Sequence, residues 1–267
     1  MDDTMSIALY GYDNEDMKLL ISFLGPDVML VLQMLKHNLS TAAGSVYLGV
    51  PRRTLHRKFV AFLQQNERWA LDPRRRFAAT LLPGAWERCT MLVDGFPVFR
   101  GQRRGGGNFS GKYRRSGLKF QMVTDVRGVP MHLSEPFDAS VHDAKIFRLT
   151  NFEHLPNEMI VADKAYIGAP HCIVPRKKSR LRPLSVKEKK FEAMHRKVRA
   201  KVEHCFARLH RFRFMKYSYW RDTVTANAVR FITWAEHVVR TKKDVLDPAD
   251  ESFFAQIPLC ECDFQRE

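Results

Sequence analysis

The sequence predicts an α/β sandwich preceded by a small helical region. Residues 28–65 carry apolar side chains at helical spacing, and after residue 84 the pattern changes to short apolar runs typical of strands. These runs are followed by a long amphipathic segment at 187–212 and a further helical segment at 223–243. Strands followed by helices, with some strands buried on both faces and some on one, are typical of a sheet covered by helices.

The helical region contains two short helical segments joined at a glycine. In STAAGSVYLGVPRRTLHRKFVAFLQQ the hinge falls at 48–50, where Gly49 can take the left-handed conformation that a tight turn needs. Apolar side chains then lie on one face of the second segment, and Arg52, Arg53 and Arg57 lie on the other. A turn glycine before a basic second helix resembles a helix-turn-helix DNA-binding unit. The alternative is a plain helical hairpin in the core of a larger domain.

The second region begins after a basic segment that is bounded by proline and glycine. We therefore expect a helical region over 1–72, a linker over 73–87, the α/β region over 88–243 and an acidic tail over 244–267. Within the α/β region, periodicity predicts strands and one short helix before the long helices. The expected strands are 89–100, two within 117–136 that turn at 127–128, and 158–168, and the expected short helix is 142–152.

Positive charge is concentrated in the middle of the chain. Lys and Arg number 44 against 29 Asp and Glu, a formal net charge of +15. Residues 164–221 hold 18 basic and three acidic residues, and residues 100–119 hold seven basic residues and no acidic one. Tracts this one-sided favour a groove for a phosphate backbone, because each Lys or Arg that neutralises a phosphate releases counterions. The alternative is a solvated surface whose charge keeps the protein soluble.

Two other protein classes are disfavoured by the composition. No apolar run of about 18 residues occurs, so we expect no transmembrane span and no membrane partner. The five cysteines are scattered and odd in number, which fits neither a disulfide framework nor a zinc motif, and a reducing compartment is expected. The cluster PRKKSRLRP at 175–183 indicates a nuclear localisation signal, a DNA-contact loop, or both.

Three carboxylates stand out in this basic chain. Asp94 and Asp163 each end the apolar part of a predicted strand, and Glu203 lies in the long helix beside an apolar stripe. An acid at the carboxyl end of a strand points into the crevice where sites form in open α/β sheets. Carboxylates are hard ligands for Mg²⁺ or Mn²⁺, and two such ions roughly 3.5–4 Å apart support phosphodiester cleavage. Each acid also has a plainer interpretation: the aspartates as turn or cap residues, and Glu203 as the ion-pair partner of Arg199.

Six sequence elements, in order, carry a resemblance to a known family. They are VDGFPV, YRRSGLKFQMVTDVRGVP, SVHDAKIF, ADKAYIG, IVPRKKS and KVRAKVEHCFARLHRFRFMK. Over about residues 91–220 they resemble the DDE transposase domain of the PIF/Harbinger and IS5-like superfamily. The elements are similar to its first-Asp strand, the following strand pair, its His-Asp helix start, its second-Asp strand, the basic stretch and the helix with the third acid. The sequence departs from the family at DKAY, where a Gly often precedes the Tyr.

The resemblance implies a fold, a site and a reaction. The implied fold is an RNase H-like mixed sheet flanked by helices, and Asp94, Asp163 and Glu203 are implied as the catalytic residues that bind two Mg²⁺ or Mn²⁺ ions. The implied activity is that of a DNA transposase or endonuclease that cleaves phosphodiester bonds and joins 3′ ends to target DNA. The alternative is a domesticated or inactive transposon-derived DNA-binding protein without cleavage activity.

Partners and compartment follow from the same resemblance. Double-stranded DNA is the implied partner, and a second copy of the chain and an accessory DNA-binding protein are further candidates. The implied compartment is the nucleus in a eukaryotic host and the cytoplasm otherwise. Besides the arginines of the helix-turn-helix, the candidate phosphate contacts are Lys112, Arg114, Arg115, Arg196, Arg199 and Lys201.

Three further motifs have two interpretations each. GGNFSGKY at 106–113 nearly matches a phosphate-binding loop, but Tyr113 replaces the Ser or Thr that binds Mg²⁺ and a strand follows, which favours a basic loop over a DNA backbone. Asp143 either caps the N-terminus of a helix, or it is an acid that contacts the catalytic residues from behind or contacts DNA. The aromatic residues of 212–221 alternate with basic ones and either pack in the core or stack on bases.

Overall fold

Five short helices form the N-terminal part of the protein. The computed structural model describes residues 2–71, 86, 88–100, 109–150, 152, 158–176 and 183–242. The helices are α1 (Asp3–Tyr10), α2 (Asn14–Leu24), α3 (Asp27–His37), α4 (Thr41–Leu48) and α5 (Arg52–Leu63).

Local capping explains where these helices begin and end. The side chains of Asp2, Asp13 and Ser40 each accept a hydrogen bond from a backbone amide in the first turn of α1, α2 and α4. Helix α4 ends at Gly49, whose φ of 64° is the left-handed conformation that the sequence predicts for the hinge. The two helical segments of the predicted helix-turn-helix are therefore present.

A mixed sheet forms the centre of the second part. In the described residues it contains eight strands, and its main path runs in the order β2-β3-β1-β6-β7. Strands β1 and β3 are antiparallel, whereas β6 and β8 run parallel to β1 and β7 runs parallel to β6. The strands are β1 (Cys89–Arg100), β2 (Phe109–Ser110), β3 (Arg115–Asp125), β4 (Pro130–Leu133), β5 (Phe137–Asp138), β6 (Met159–Val161), β7 (Cys172–Ile173) and β8 (Tyr217–Ser218).

Three helices flank this sheet: α6 (Asp143–Leu149), α7 (Val186–Leu209) and α8 (Asp222–Lys242). Helix α7 begins with a capping box, in which Ser185 and Glu188 each accept a hydrogen bond from the other's backbone amide. The α/β class is confirmed, and a mixed sheet flanked by helices is consistent with an RNase H-like fold. No helix in the described parts of the chain is long and apolar enough to span a membrane.

One hydrophobic cluster joins the N-terminal helices to the sheet and to α8. The Phe62 ring of α5 packs edge-on against Phe231 of α8, with centroids 5.2 Å apart. Trp69 lies 5.0 Å from Phe231 and 5.1 Å from Trp234. The α4–α5 pair is thus packed against the rest of the protein. Residues 73–85 and 87 of the predicted linker, and the predicted acidic tail, lie outside the described residues.

The strand predicted at 89–100 is confirmed, but the predicted place of Asp94 at the end of a strand is wrong. Strand β1 continues through Gly95 and Pro97 to Arg100, so Asp94 lies in its middle. Proline is tolerated there because the other edge of β1 is open: β6 pairs with β1 only as far as Leu92, and β8 begins opposite Phe99. The second aspartate follows its strand closely, because β6 ends at Val161.

Candidate active site

Parallel pairing of β1 and β6 brings two of the three predicted acids to the same level. Leu92 and Val161 are paired in register, and Asp94 and Asp163 each lie two residues further along. Because side chains alternate along extended chain, both carboxylates leave the sheet on the face that α7 covers. Asp163 then turns the chain, since its Oδ1 accepts a hydrogen bond of 2.6 Å from the Ala165 amide at the start of a short 3-10 helix.

The Asp94 carboxyl group is held in a site that disfavours its negative charge. Burial raises its pKa to about 6, and the carboxylates of Asp163 and Asp143 add to the rise. The Gly95 amide, which donates a 2.8 Å hydrogen bond to Oδ1, and the Arg199 guanidinium act in the opposite direction. Asp94 and Asp163 are therefore close enough to repel each other.

Arg199 of α7 links the third predicted acid to the first. Its Nη1 donates to Asp94 Oδ2 at 3.2 Å, and its Nη2 donates to Glu203 Oε1 at 2.5 Å. Glu203 is four residues further along the helix, so the ion pair that the plainer interpretation predicted is present. The Glu203 side chain is 53% exposed, whereas that of Asp94 is 19% exposed. Arg199 thus contacts Asp94 and Glu203, whereas Asp163 acts on Asp94 from the neighbouring strand.

A divalent cation fits the aspartate pair. The charge of Asp163 disfavours the ionised form of the half-buried Asp94. Carboxylates are the hard oxygen donors that Mg²⁺ and Mn²⁺ bind. Among the described residues, no three His, Cys, Asp or Glu side chains converge as a ready metal site. The side chain that separates Glu203 from Asp94 is that of Arg199.

A second network lies behind Asp94 on the opposite face of β1. Gly95 is in contact with the Asp143 carboxylate, and a Cβ at this position would clash with Asp143 Oδ1. Lys119 Nζ lies 2.9 Å from that oxygen and donates a hydrogen bond of 2.9 Å to the Val141 carbonyl. Gln121 Nε2 lies 3.1 Å from both the Asp143 carbonyl and the Tyr166 hydroxyl. This network ties α6 and the segment after Asp163 to the strand that carries Asp94.

Sequence reasoning missed Lys119 and Gln121 and left Asp143 undecided. Asp143 is the first residue of α6, but its carboxylate faces Lys119 and makes no capping hydrogen bond to a backbone amide of α6. The signal that could have found them is the alternation of β3, which places Lys119 and Gln121 opposite Pro97 and Gly95. Burial, with the charges of Asp143 and Asp94, raises the pKa of the Tyr166 hydroxyl, so this phenol stays neutral.

The predicted phosphate contacts lie in three places. Arg52, Arg53 and Arg57 are exposed on α5, and Lys112, Arg114 and Arg115 are exposed at the turn into β3. Arg196 and Arg199 share the helical face of Glu203, and of these two Arg196 is the exposed one. Lys201 lies on nearly the opposite side of α7, where its carbonyl packs against the Gly128 turn. Most of the cluster at 175–183 lies outside the described residues.

A family model described as a DDE superfamily endonuclease matches residues 93–238, which is more than half of the chain. The chain belongs to this family. No curated protein and no solved structure matches the chain. The matched span of this DDE endonuclease contains all three predicted acids and the Lys119–Asp143 pair, and it leaves out α1–α5.

Proposed function

We propose that this DDE endonuclease cuts double-stranded DNA and joins the freed 3′ ends to target DNA. The observation that carries the proposal is the coupling of Asp94 to Asp163 across β1 and β6, with Glu203 linked to Asp94 through Arg199, within a chain of this family. Asp94, Asp163 and Glu203 would hold two Mg²⁺ or Mn²⁺ ions. Bound there, the ions would supply an activated attacking oxygen and would stabilise the leaving oxygen.

The protein's own groups prepare this site. The pairing of β1 with β6 sets the spacing of the two aspartates, and the Gly95 and Ala165 amides orient one oxygen of each. Arg199 pairs with both Asp94 and Glu203, and its positive charge opposes the effect of burial on the pKa of Asp94. With a cation held by the acids, Arg199 would be free to bind a DNA phosphate, since its side chain is 26% exposed and lies at the surface of α7.

Double-stranded DNA is the substrate that the charge distribution favours. Exposed cations that can bind phosphates of any DNA sequence lie at three places: the arginines of α5, the basic turn before β3, and Arg196 beside Glu203. Phosphate contacts of this kind hold and orient a duplex, whereas the choice of sequence needs contacts to base edges. The α4–α5 pair is the candidate for those contacts.

The test is cleavage of a supercoiled plasmid with Mn²⁺ by Asp94→Asn, Glu203→Gln and the matched control Glu192→Gln. Glu192 lies on the same face of α7, three turns before Glu203, and its Oε1 accepts a hydrogen bond of 2.7 Å from the Arg176 amide, which a glutamine can also accept. We expect at least about a 100-fold loss of cleavage rate in the two site variants, with DNA affinity kept and the control active. Equal cleavage by all three proteins would disprove the assignment of the acids.

One observation favours the alternative, a transposon-derived protein that binds DNA without cutting it. Arg199 lies between Asp94 and Glu203, and the described residues contain no ready group of three ligands. Wild-type protein that binds duplex DNA but shows no turnover with Mg²⁺ or Mn²⁺ would establish this alternative.

A further inference from the structure

A row of exposed aromatic rings lies at the carboxyl end of β1. Phe99 meets Tyr113 edge-on, with centroids 5.3 Å apart, and Tyr217 of β8 is the parallel neighbour of Phe99. Tyr219 continues the row, 5.7 Å from Tyr217. Tyr113, Tyr217 and Tyr219 are 36%, 38% and 57% exposed. We call these four residues the aromatic row.

The exposure of the row contrasts with its sequence neighbours. Phe212 and Phe214, from the same alternating segment, are buried in the core, which confirms core packing for those two rings. Tyr217 and Tyr219 lie on the surface instead. Large aromatic rings that remain together on the surface mark interaction sites more often than isolated ones do.

Cations without acidic partners surround the row. Lys112 Nζ lies 5.0 Å from the centre of the Tyr113 ring, and the Arg115 guanidinium lies 5.8 Å from that of Phe99. Arg213, Lys216 and Arg221 are exposed in the segment that carries the two other tyrosines. In the described parts of the chain, none of these five side chains forms an ion pair with an acid. Rings interleaved with cations present both a stacking surface and an anion-binding surface.

The row lies further along β1 than Asp94 and on the other face of the sheet, the face of Gly95 and Asp143. Phe99 is five residues after Asp94 on the same strand, a distance of about 16 Å along extended chain. The Lys112 ammonium is held by a hydrogen bond to Tyr113, and the carboxylates of Asp143 and Asp163 further raise its pKa. Lys112 is therefore within electrostatic reach of Asp143 and Asp163 as well as in contact with the row.

We propose that the aromatic row binds unpaired bases of the DNA substrate. The bases stack on Tyr113, Tyr217 and Tyr219, while Lys112 and Arg115 bind the phosphates between them. A duplex offers stacked bases whose faces are covered, so the row selects nucleotides that are already separated from their partner strand. The ligand is single-stranded DNA of any sequence, because every base has a face on which a ring can stack. This inference rests on the proposed function, and it adds a contact for the opened end of the substrate.

Binding in EDTA tests the row separately from cleavage. The full-length protein is titrated by fluorescence anisotropy against a single-stranded oligonucleotide, a duplex with a 3′ overhang and a blunt duplex. In a triple variant, Tyr113→Leu, Tyr217→Leu and Tyr219→Leu, we expect the affinity for the single strand and the overhang to fall by about 5-fold or more per lost ring. Blunt-duplex affinity should stay within roughly twofold of wild type, because the cations remain.

Two further variants separate stacking from damage to the fold. The triple Tyr→Phe protein keeps the rings and should bind the single strand like wild type. Phe23→Leu removes another exposed ring, which lies under Lys242 at 5.5 Å on a different surface, and should change nothing.

Three results would overturn the inference: an unchanged single-strand affinity of the Leu variant, an equal loss in Phe23→Leu, or an equal loss for blunt duplex. Loss of cleavage in Asp94→Asn with single-strand binding intact bears on the nuclease proposal alone, so the failures of the two proposals are distinguishable.

Discussion

Asp94 illustrates how a candidate catalytic residue lowers the stability of its own fold. In the folded protein its pKa is about 6, whereas an unperturbed aspartate titrates near 3.8. The folded state therefore binds more protons than the unfolded state between these two values, and stability falls as the pH rises through this window. Above about pH 6 the full cost applies, about 3 kcal/mol.

Asp94→Asn is therefore expected to stabilise the metal-free protein. In EDTA at about pH 7.5 the variant should be more stable than wild type by up to about 3 kcal/mol in urea unfolding, and the gain should vanish near pH 4. Asp27→Asn is the control, because Asp27 is exposed and its Oδ1 lies 2.9 Å from Lys58 Nζ. Added Mn²⁺ should raise the unfolding midpoint of wild type and leave that of Asp94→Asn unchanged. A pH-independent difference between wild type and the variant would contradict this account.

The three candidate acids could be singled out from the sequence, but their surroundings could not. Asp94 and Asp163 stand out because they follow apolar runs, and Glu203 because it is one of only three acids among the 18 basic residues of 164–221. The Lys119–Asp143 pair depends on the register of β1 against β3, which a single sequence does not reveal. The contact of Arg199 with Asp94 spans 105 residues of chain, and only its i, i+4 partner Glu203 was visible in the helical pattern.

Among the elements, α5 carries the exposed cations that the helix-turn-helix interpretation needs. Its buried face, formed by Leu55, Phe59, Phe62 and Leu63, packs on the core, as the sequence periodicity predicts. Arg53 and Arg57 lie one turn apart on the outer face and line the same shallow depression. Under the proposed function, this face is the part of α5 that would contact DNA.

Arg53→Ala and Arg57→Ala should each weaken duplex binding and reduce the slope of log K against log salt by about 1. Lys58→Ala is the matched control on the same helix, because Lys58 loses the same charge but is already paired with Asp27. Its effect should be smaller than that of either arginine. Anisotropy measured at several salt concentrations gives both the affinity and the salt slope. An equal effect of all three variants would mean that α5 contributes only its overall charge to DNA binding.

The long elements were predictable from sequence, and the shortest were not. The predicted helices at 187–212 and 223–243 correspond to α7 (Val186–Leu209) and α8 (Asp222–Lys242), because their apolar stripes extend over many turns. Strands β2, β5, β7 and β8 have two residues each, too few for any alternation to be visible. Asp94 was misplaced because Gly95 and Pro97 usually end strands, and the open edge of β1 that tolerates them is a property of the whole sheet.

For the molecule as a whole, the main observation is that one hydrophobic cluster includes both α5 and α8. Phe231 is fully buried and contacts Phe62 and Trp69 from the N-terminal part. We expect Phe231→Ala to lower the free energy of unfolding by about 3–5 kcal/mol.

Because the cluster is shared, the loss in Phe231→Ala should appear as one transition by tryptophan fluorescence and by circular dichroism. Phe23→Ala, at an exposed ring, is the control and should cost far less. Two separate transitions in Phe231→Ala would mean that the N-terminal helices fold independently of the sheet.

The packing of α5 on α8 also fixes the distance between α5 and the candidate active site. Under the proposed function, the base pairs read by α5 and the phosphate cut at Asp94 belong to sites whose separation is built into one hydrophobic core. B-DNA turns once in about 10 base pairs, so about five extra pairs between the two sites would carry the phosphate to the far side of the duplex, and about ten would bring it back to the same face. A binding helix held by a loose tether would accept either spacing. In this protein, the aromatic contacts of Phe62, Trp69 and Phe231 would fix the distance from the bound sequence at which DNA is cut.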